Sequence, residues 1–222
     1  MFPIQEREEV MDYTELKKLM SEQKVEMTAA ERIKAYNEGK EVDHIPYTLQ
    51  APDPAMADIF GFTTSQFAKD FEVKSEVIRR RKEEFGLDSF NVGLGLRTIG
   101  VALGSKLGVP EHGIDYIEHH VLQDYADFDK LEVTDPYKNP VLAPILESAK
   151  RLKERFPDVS MTTSVAGPIS TAIAVRPVEK VLRDTRKNPE MLHKLLDLTV
   201  VCSLKWFEAF YHEFGSVGTN FS

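Results

Sequence analysis

The sequence predicts an α/β protein of the parallel (β/α) barrel type, holding about the first four strands of an incomplete barrel behind an N-terminal helical extension. Three observations predict it. Strand candidates near 44–49, 89–94, 159–165 and 216–221 alternate with segments of helical period, and that alternation implies a parallel sheet with crossover helices. The run Val159–Val165 is rich in β-branched residues and almost free of charge, as a strand covered on both faces requires. It breaks at Ala166-Gly167-Pro168, and strand ends of this kind are where ligands sit in parallel α/β folds. A closed ring takes about 250 residues. Four strands would leave two open edges, which predicts poor solubility or pairing with another chain.

Composition limits the function classes. With 222 residues and 42% hydrophobic content the chain can bury one sizeable core. Its net charge of -8 argues against a nucleic-acid surface. The basic run Arg79-Arg80-Arg81-Lys82 is followed at once by Glu83-Glu84 and reads as a solvated helix face. A single cysteine, Cys202, excludes an internal disulfide and fits a reducing compartment. There is no apolar run of spanning length, and the acidic N-terminus does not read as a targeting peptide. The expected location is the cytoplasm.

Taken in order, residues 1–27 are highly charged, with Tyr13, Leu16, Leu19 and Met20 at helical spacing. They read as an amphipathic extension, and residues 28–222 as the barrel-type unit. Thr28-Ala29-Ala30-Glu31 is a capping box that opens a helix to about Glu38, stopped by Gly39. Asp43–Leu49 reads as a first strand. Asp53 and Pro54 start a turn of helix ending at Gly61, and helices are expected over Thr64–Asp70 and Lys74–Phe85. Ser89–Leu94 is the second strand and runs into the glycine-rich Gly93–Gly100. That stretch has no GxGxxG, so a dinucleotide fingerprint is unsupported. It is read as ordinary turns or as a glycine-lined pocket wall, with the chain extended and turn-like to Val121.

A loop over 127–140 leads into a helix at Val141–Arg155 whose apolar face is Leu142, Ile145, Leu146, Ala149 and Leu152. After the central strand a small-residue loop or helix start follows Pro168. Arg176-Pro177-Val178 opens a short helix to about Thr185. Asn188-Pro189-Glu190 caps a long one with Leu192, Leu195, Leu196, Val200, Leu204 and Phe207 on its buried face, stopped by Gly215. Cys202 reads as a buried structural thiol, His119-His120 as a surface pair, and His193 and His212 as partly exposed.

Three motifs resemble one family. Glu31-Arg32 with Gly39 and Asp43-His44-Ile45-Pro46 resembles the opening of the uroporphyrinogen decarboxylase superfamily. Ala166-Gly167-Pro168-Ile169-Ser170 resembles its glycine-proline loop, and Asn188-Pro189-Glu190-Met191-Leu192-His193-Lys194-Leu195-Leu196-Asp197 resembles its x-P-E-x-x-H-x-L-L-D helix. The resemblance implies a (β/α)₈ barrel and two activities: the haem-pathway decarboxylase, and zinc-dependent, cobamide-linked methyl transfer of the methylcobamide:coenzyme M type. The decarboxylase pattern places an arginine-bearing segment after strand one and an aspartate after strand two. This chain has Leu49–Ala55, without arginine, and Gly93-Leu94-Gly95-Leu96, so a substrate with eight carboxylates lacks its cations.

Methyl transfer fits these departures better. In those relatives a His-x-Cys pair and a later cysteine hold a zinc that activates a thiol, and this sequence has no His-x-Cys. The resemblance therefore implies that zinc and a corrinoid belong to the complete barrel, with no metal held by this chain. The expected partners are a small-molecule substrate, a corrinoid protein, and a second chain completing the barrel. A decarboxylase, and a non-catalytic or barrel-completing module, remain as alternatives. Residues at the carboxyl ends of the strands are the expected substrate-binding set: Tyr47, Gln50, Asn91, Gly93, Ser164, Gly167 and Asn220. Their role would be positioning through amide, hydroxyl and backbone groups.

Overall fold

The structure is a computed structural model, and it describes residues 26–46, 53–85, 89–110, 115–215 and 219–221, together with 14, 18, 22 and 24. The chain forms two compact units, residues 1–47 and 48–222. In the first, Thr14, Lys18 and Glu22 are helical, whereas Tyr13, Leu16, Leu19 and Met20 lie outside the described residues. Helix α1 spans Ala29–Asn37 and opens on the expected capping box, in which the Thr28 hydroxyl and the Glu31 carboxylate each accept a backbone N–H of the first turn.

Residues 43–46 form no strand, contrary to the sequence reading; residues 47–49 lie outside the described set. The reason is chemical. Asp43 accepts N–H bonds from Glu26, Met27 and His44, and it pairs with Arg32 at 2.6 Å, both side chains being buried. Arg32 also donates to the Met27 carbonyl. The carboxylate of Asp43 thus closes the segment onto α1, and the guanidinium beside it holds that carboxyl well below the usual range. The two motif residues that carry the family resemblance at this end are a mutual clamp.

The second unit begins with α2 (Asp53–Ile59), α3 (Thr64–Lys69) and α4 (Phe71–Phe85). A capping box of Thr63 and Gln66 starts α3. Met56, Ala57, Phe60, Phe67 and Val77 form a small core among these helices. In the basic run of α4, Arg79 pairs with Glu76 and Glu83, and Arg80 bonds Glu84 and lies 4.0 Å over the Phe60 ring. Arg81 departs from the solvated-face reading, being 5% exposed.

Next come β1 (Ser89–Asn91), α5 (Thr98–Ala102), β2 (Lys106–Gly108) and β3 (Tyr116–His119). The stretch to Val121, read as extended and turn-like, contains a helix and an antiparallel hairpin of β2 with β3. No side chain caps α5, and Gly100 sits inside it. A Cβ there would stand 2.5 Å from the Ala174 Cβ and 2.7 Å from its carbonyl. The glycine that hides the helix from propensity is what lets it pack.

A 3₁₀ turn (Tyr125–Lys130) leads to α6 (Leu142–Arg155), β4 (Ser160–Val165), α7 (Pro168–Val175), α8 (Val178–Lys187), α9 (Pro189–Phe214) and β5 (Thr219–Phe221). The sheet order is β1-β4-β5, and both pairings are parallel. The apolar face of α6 is buried as expected through Leu142, Leu146, Ala149 and Leu152. On α9 Leu192 and Leu195 are buried as expected, and so is Cys202, but Val200 and Leu204 are 37% and 53% exposed, and farther along the helix the buried line runs through Thr199, Cys202, Ser203 and Trp206. Two polar residues can lie on that face because Thr199 donates to the Leu196 carbonyl and Ser203 to the Thr199 carbonyl. Gly215, at φ 66, ends α9.

Candidate strand-end site

Strand pleating sorts β1 and β4 into two faces. Phe90, Val92, Met161, Thr163 and Val165 are buried, while Asn91 and Gly93 are exposed and Thr162 and Ser164 half-buried. The buried face is tied to α9 by a short relay. The Trp206 indole N–H donates to Thr163 Oγ1 at 2.8 Å, and that hydroxyl donates to the Val92 carbonyl at 2.8 Å. The ladder continues past β1, with Val92 N–H on the Thr162 carbonyl and Leu94 N–H on the Ser164 carbonyl. The carboxyl ends of the two strands are therefore held level.

On the open face the side chains bond one another. Asn91 Nδ2 donates to Thr162 Oγ1 at 3.2 Å, and Ser164 Oγ donates to Asn91 Oδ1 at 3.0 Å. Gly93 lies against this pair: a Cβ would stand 2.5 Å from Ser164 Oγ and 2.7 Å from Asn91 Oδ1. The second amide N–H of Asn91 and the hydroxyl proton of Thr162 are left over by this arrangement and can face a ligand. The group carries no ionisable side chain. Register places Asn220 opposite Ser164. Gly167 follows β4 as the N-cap of α7, and Pro168 occupies the first turn of that helix.

Of the residues expected from the sequence, the structure brings Asn91, Gly93 and Ser164 into one cluster and sets Asn220 in register with it. Gly167 stands at the end of β4, and Tyr47 and Gln50 lie outside the described residues. Thr162 was missed. Alternation would have found it, since it lies two residues before Ser164 and so on the same face. A Gly93→Ala substitution is expected to break the Ser164–Asn91 bond and cost about 1 kcal/mol, because the atoms in its way are side-chain ends rather than backbone. Thermal unfolding together with a crystal structure of the variant checks this.

The far end of α7 is fixed by charge. Arg176 pairs with Asp184 at 2.7 Å, with side chains 7% and 2% exposed. The guanidinium also donates to the Gln123 carbonyl at 2.9 Å and lies 4.2 Å over the Tyr125 ring. Burial works to raise Asp184, but hydrogen bonds from Asn188 and Arg176 outweigh it and hold the carboxyl below its usual value. Burial, with Asp184 beside it, pushes the Tyr125 phenol up to about 12. The backbone of Leu122 completes the anchor by donating to the Val175 carbonyl.

The remaining candidates do not converge. Cys202 is fully buried, and His119, His193 and His212 are exposed. His120 is half-buried, and burial lowers its pKa. Among the described residues no three His, Cys, Asp or Glu side chains are grouped so as to hold a metal ion. The described residues therefore do not form a zinc site of the thiolate and imidazole kind. Among the described residues no helix is long and apolar enough to cross a membrane.

Parallel strands with crossover helices, and a polar cluster at the carboxyl ends of two of them, define a protein of the (β/α) class with a strand-end site. The family model Uroporphyrinogen decarboxylase (URO-D) matches residues 28–216, and the chain belongs to that family. Its fold is similar to that of a methyltransferase from Methanosarcina mazei, with a TM-score of 0.70 at 20% identity, over 85% of this chain and 57% of that one. The chain thus spans little more than half the length of that structure. A search of curated proteins found no match.

Proposed function

We propose that this chain carries substrate-positioning strand ends of a methyltransferase-type member of the family, for methyl transfer between a corrinoid and a thiol in a complete barrel. The observation that carries the reading is the uncharged cluster of Asn91, Thr162 and Ser164 against Gly93. The rim of a corrin ring bears neutral carboxamides, and amide and hydroxyl groups are their natural partners. A porphyrinogen with eight carboxylates asks for guanidinium or ammonium groups, and this cluster has none.

The role of the cluster is to bind and orient; it holds no group able to move a proton near neutral pH. A zinc-activated thiol and a corrinoid protein belong to this proposal only as expectations for the complete barrel, since the described residues do not form the metal site. The cytoplasm is the proposed location, and a second chain completing the barrel the proposed partner.

Titration of the purified chain with methylcobalamin and with uroporphyrin, followed in the visible bands of each ligand, tests the reading. Saturable binding of methylcobalamin with none of uroporphyrin is the expected result. Binding of uroporphyrin, accompanied by formation of coproporphyrinogen from uroporphyrinogen, would restore the decarboxylase alternative.

A further inference from the structure

Helix α8 carries a surface that the strand-end site does not use. Its sequence, Val178–Lys187, is VEKVLRDTRK. Val181 and Asp184 face inward and are buried, Asp184 being occupied by Arg176. Lys180 is occupied by the carbonyl and side-chain oxygen of Gln123. Arg183, Arg186 and Lys187 are exposed, and their side chains have no hydrogen-bond or ion-pair partner among the described residues. Exposed lysines without such a partner occur elsewhere, at Lys34, Lys69 and Lys194, but each of the other described arginines has a partner; Arg79, Arg80 and Arg155 each pair with a carboxylate.

Beside the free cations stand two large apolar side chains one helical turn apart. Val178 is 44% exposed and Leu182 64%. At about 100° per residue, Val178, Leu182 and Arg186 fall in one line along the outer face, with Arg183 and Lys187 on its flank. Glu179 is the single exposed carboxylate of the helix. In a chain of net charge -8, a strip with three unpaired cations around an apolar pair is a local reversal of sign. Complementary potentials of that kind steer association and fix register, and arginine is enriched among the residues that carry binding energy at interfaces.

We infer that the outer face of α8 docks an acidic protein partner, whose carboxylates meet Arg183, Arg186 and Lys187 around an apolar residue seated on Val178 and Leu182. A membrane surface is the weaker match. Interfacial helices bury a broad apolar face rich in Trp, Phe or Leu, whereas α8 offers one leucine and one valine and is itself packed on α9. The inference does not depend on the proposed methyl transfer.

The test uses the full chain and a fluorescently labelled synthetic peptide of alternating Glu and Leu, with binding read by anisotropy. The expected result is saturable binding that weakens as salt rises. It should fall about tenfold in the triple variant Arg183→Gln, Arg186→Gln, Lys187→Gln, since three weak exposed ion pairs are lost together. Leu182→Ala should weaken it independently, and Arg79→Gln with Arg80→Gln on α4 should leave it unchanged. All these side chains are exposed or half-exposed, and circular dichroism confirms that each variant folds. Absent peptide binding, or equal binding by the triple variant, overturns the inference. So does sedimentation of the wild type with vesicles of phosphatidylserine and phosphatidylcholine in equal parts, or a dimer that the triple variant abolishes, which would make the occupant a lipid surface or a second copy.

Discussion

Asp184→Ala is expected to lower the unfolding free energy by about 3–5 kcal/mol, because it leaves the Arg176 guanidinium buried without its counter-charge. Urea unfolding followed by circular dichroism measures it as a drop in midpoint at unchanged slope. Replacing both partners, as Arg176→Met with Asp184→Leu, should cost much less, since an apolar pair needs no compensation. The wild type also carries a pH signature. The folded carboxyl of Asp184 lies below its unfolded value, which is about 3.9. Its stabilising contribution is therefore present above about pH 4 and is lost as pH falls through the folded pKa. Asp184→Ala should lose that part of the acid dependence. An alanine variant as stable as the wild type at pH 7 would show that the pair is not what anchors α7.

Trp206→Ala is the second large effect, at about 3–5 kcal/mol. The side chain is fully buried, and its indole N–H is the donor to Thr163 Oγ1. Truncation opens a cavity between α9 and β4 and removes the donor that holds Thr163 on the Val92 carbonyl. Trp206→Phe keeps most of the volume and should cost less, separating packing from the hydrogen bond. Because Trp206 is the only tryptophan, its emission reports on this relay in the wild type. A ligand that moves β4 should change it.

Much of this was legible in the sequence wherever one residue type has one physical use. The capping box at Thr28, the apolar face of α6, the charge-free strand β4 and the αL stop at Gly215 are of that kind, since each rests on a local pattern that tertiary contacts reinforce. The misses share a cause. Asp43 reads as the start of a strand until Arg32, on the preceding helix, is brought against it. Gly100 reads as a turn until Ala174 lies against it. On α9, apolar residues lie on two sides, so the phase of the buried face is settled by Thr199 and Ser203 bonding back to their own helix. Within the site, Asn91, Gly93 and Ser164 could be placed from strand ends alone. Thr162 was within reach of alternation with Ser164, but its bond to Asn91 needed the pairing of β1 with β4, and the free cations of α8 needed Asp184 to be removed from the exposed charge by Arg176.

Whether the neutral face of β1 and β4 holds the proposed ligand is read from the affinity of Asn91→Ala for methylcobalamin. Asn91 is exposed, and its amide bonds only Thr162 and Ser164 on the neighbouring strand, so the variant should stay folded and lose about 1–2 kcal/mol of stability. Its dissociation constant should rise about tenfold, as losing a hydrogen-bonding partner for an oriented ligand costs on the order of 1–1.5 kcal/mol. An unchanged constant in a fully folded Asn91→Ala would contradict the proposal.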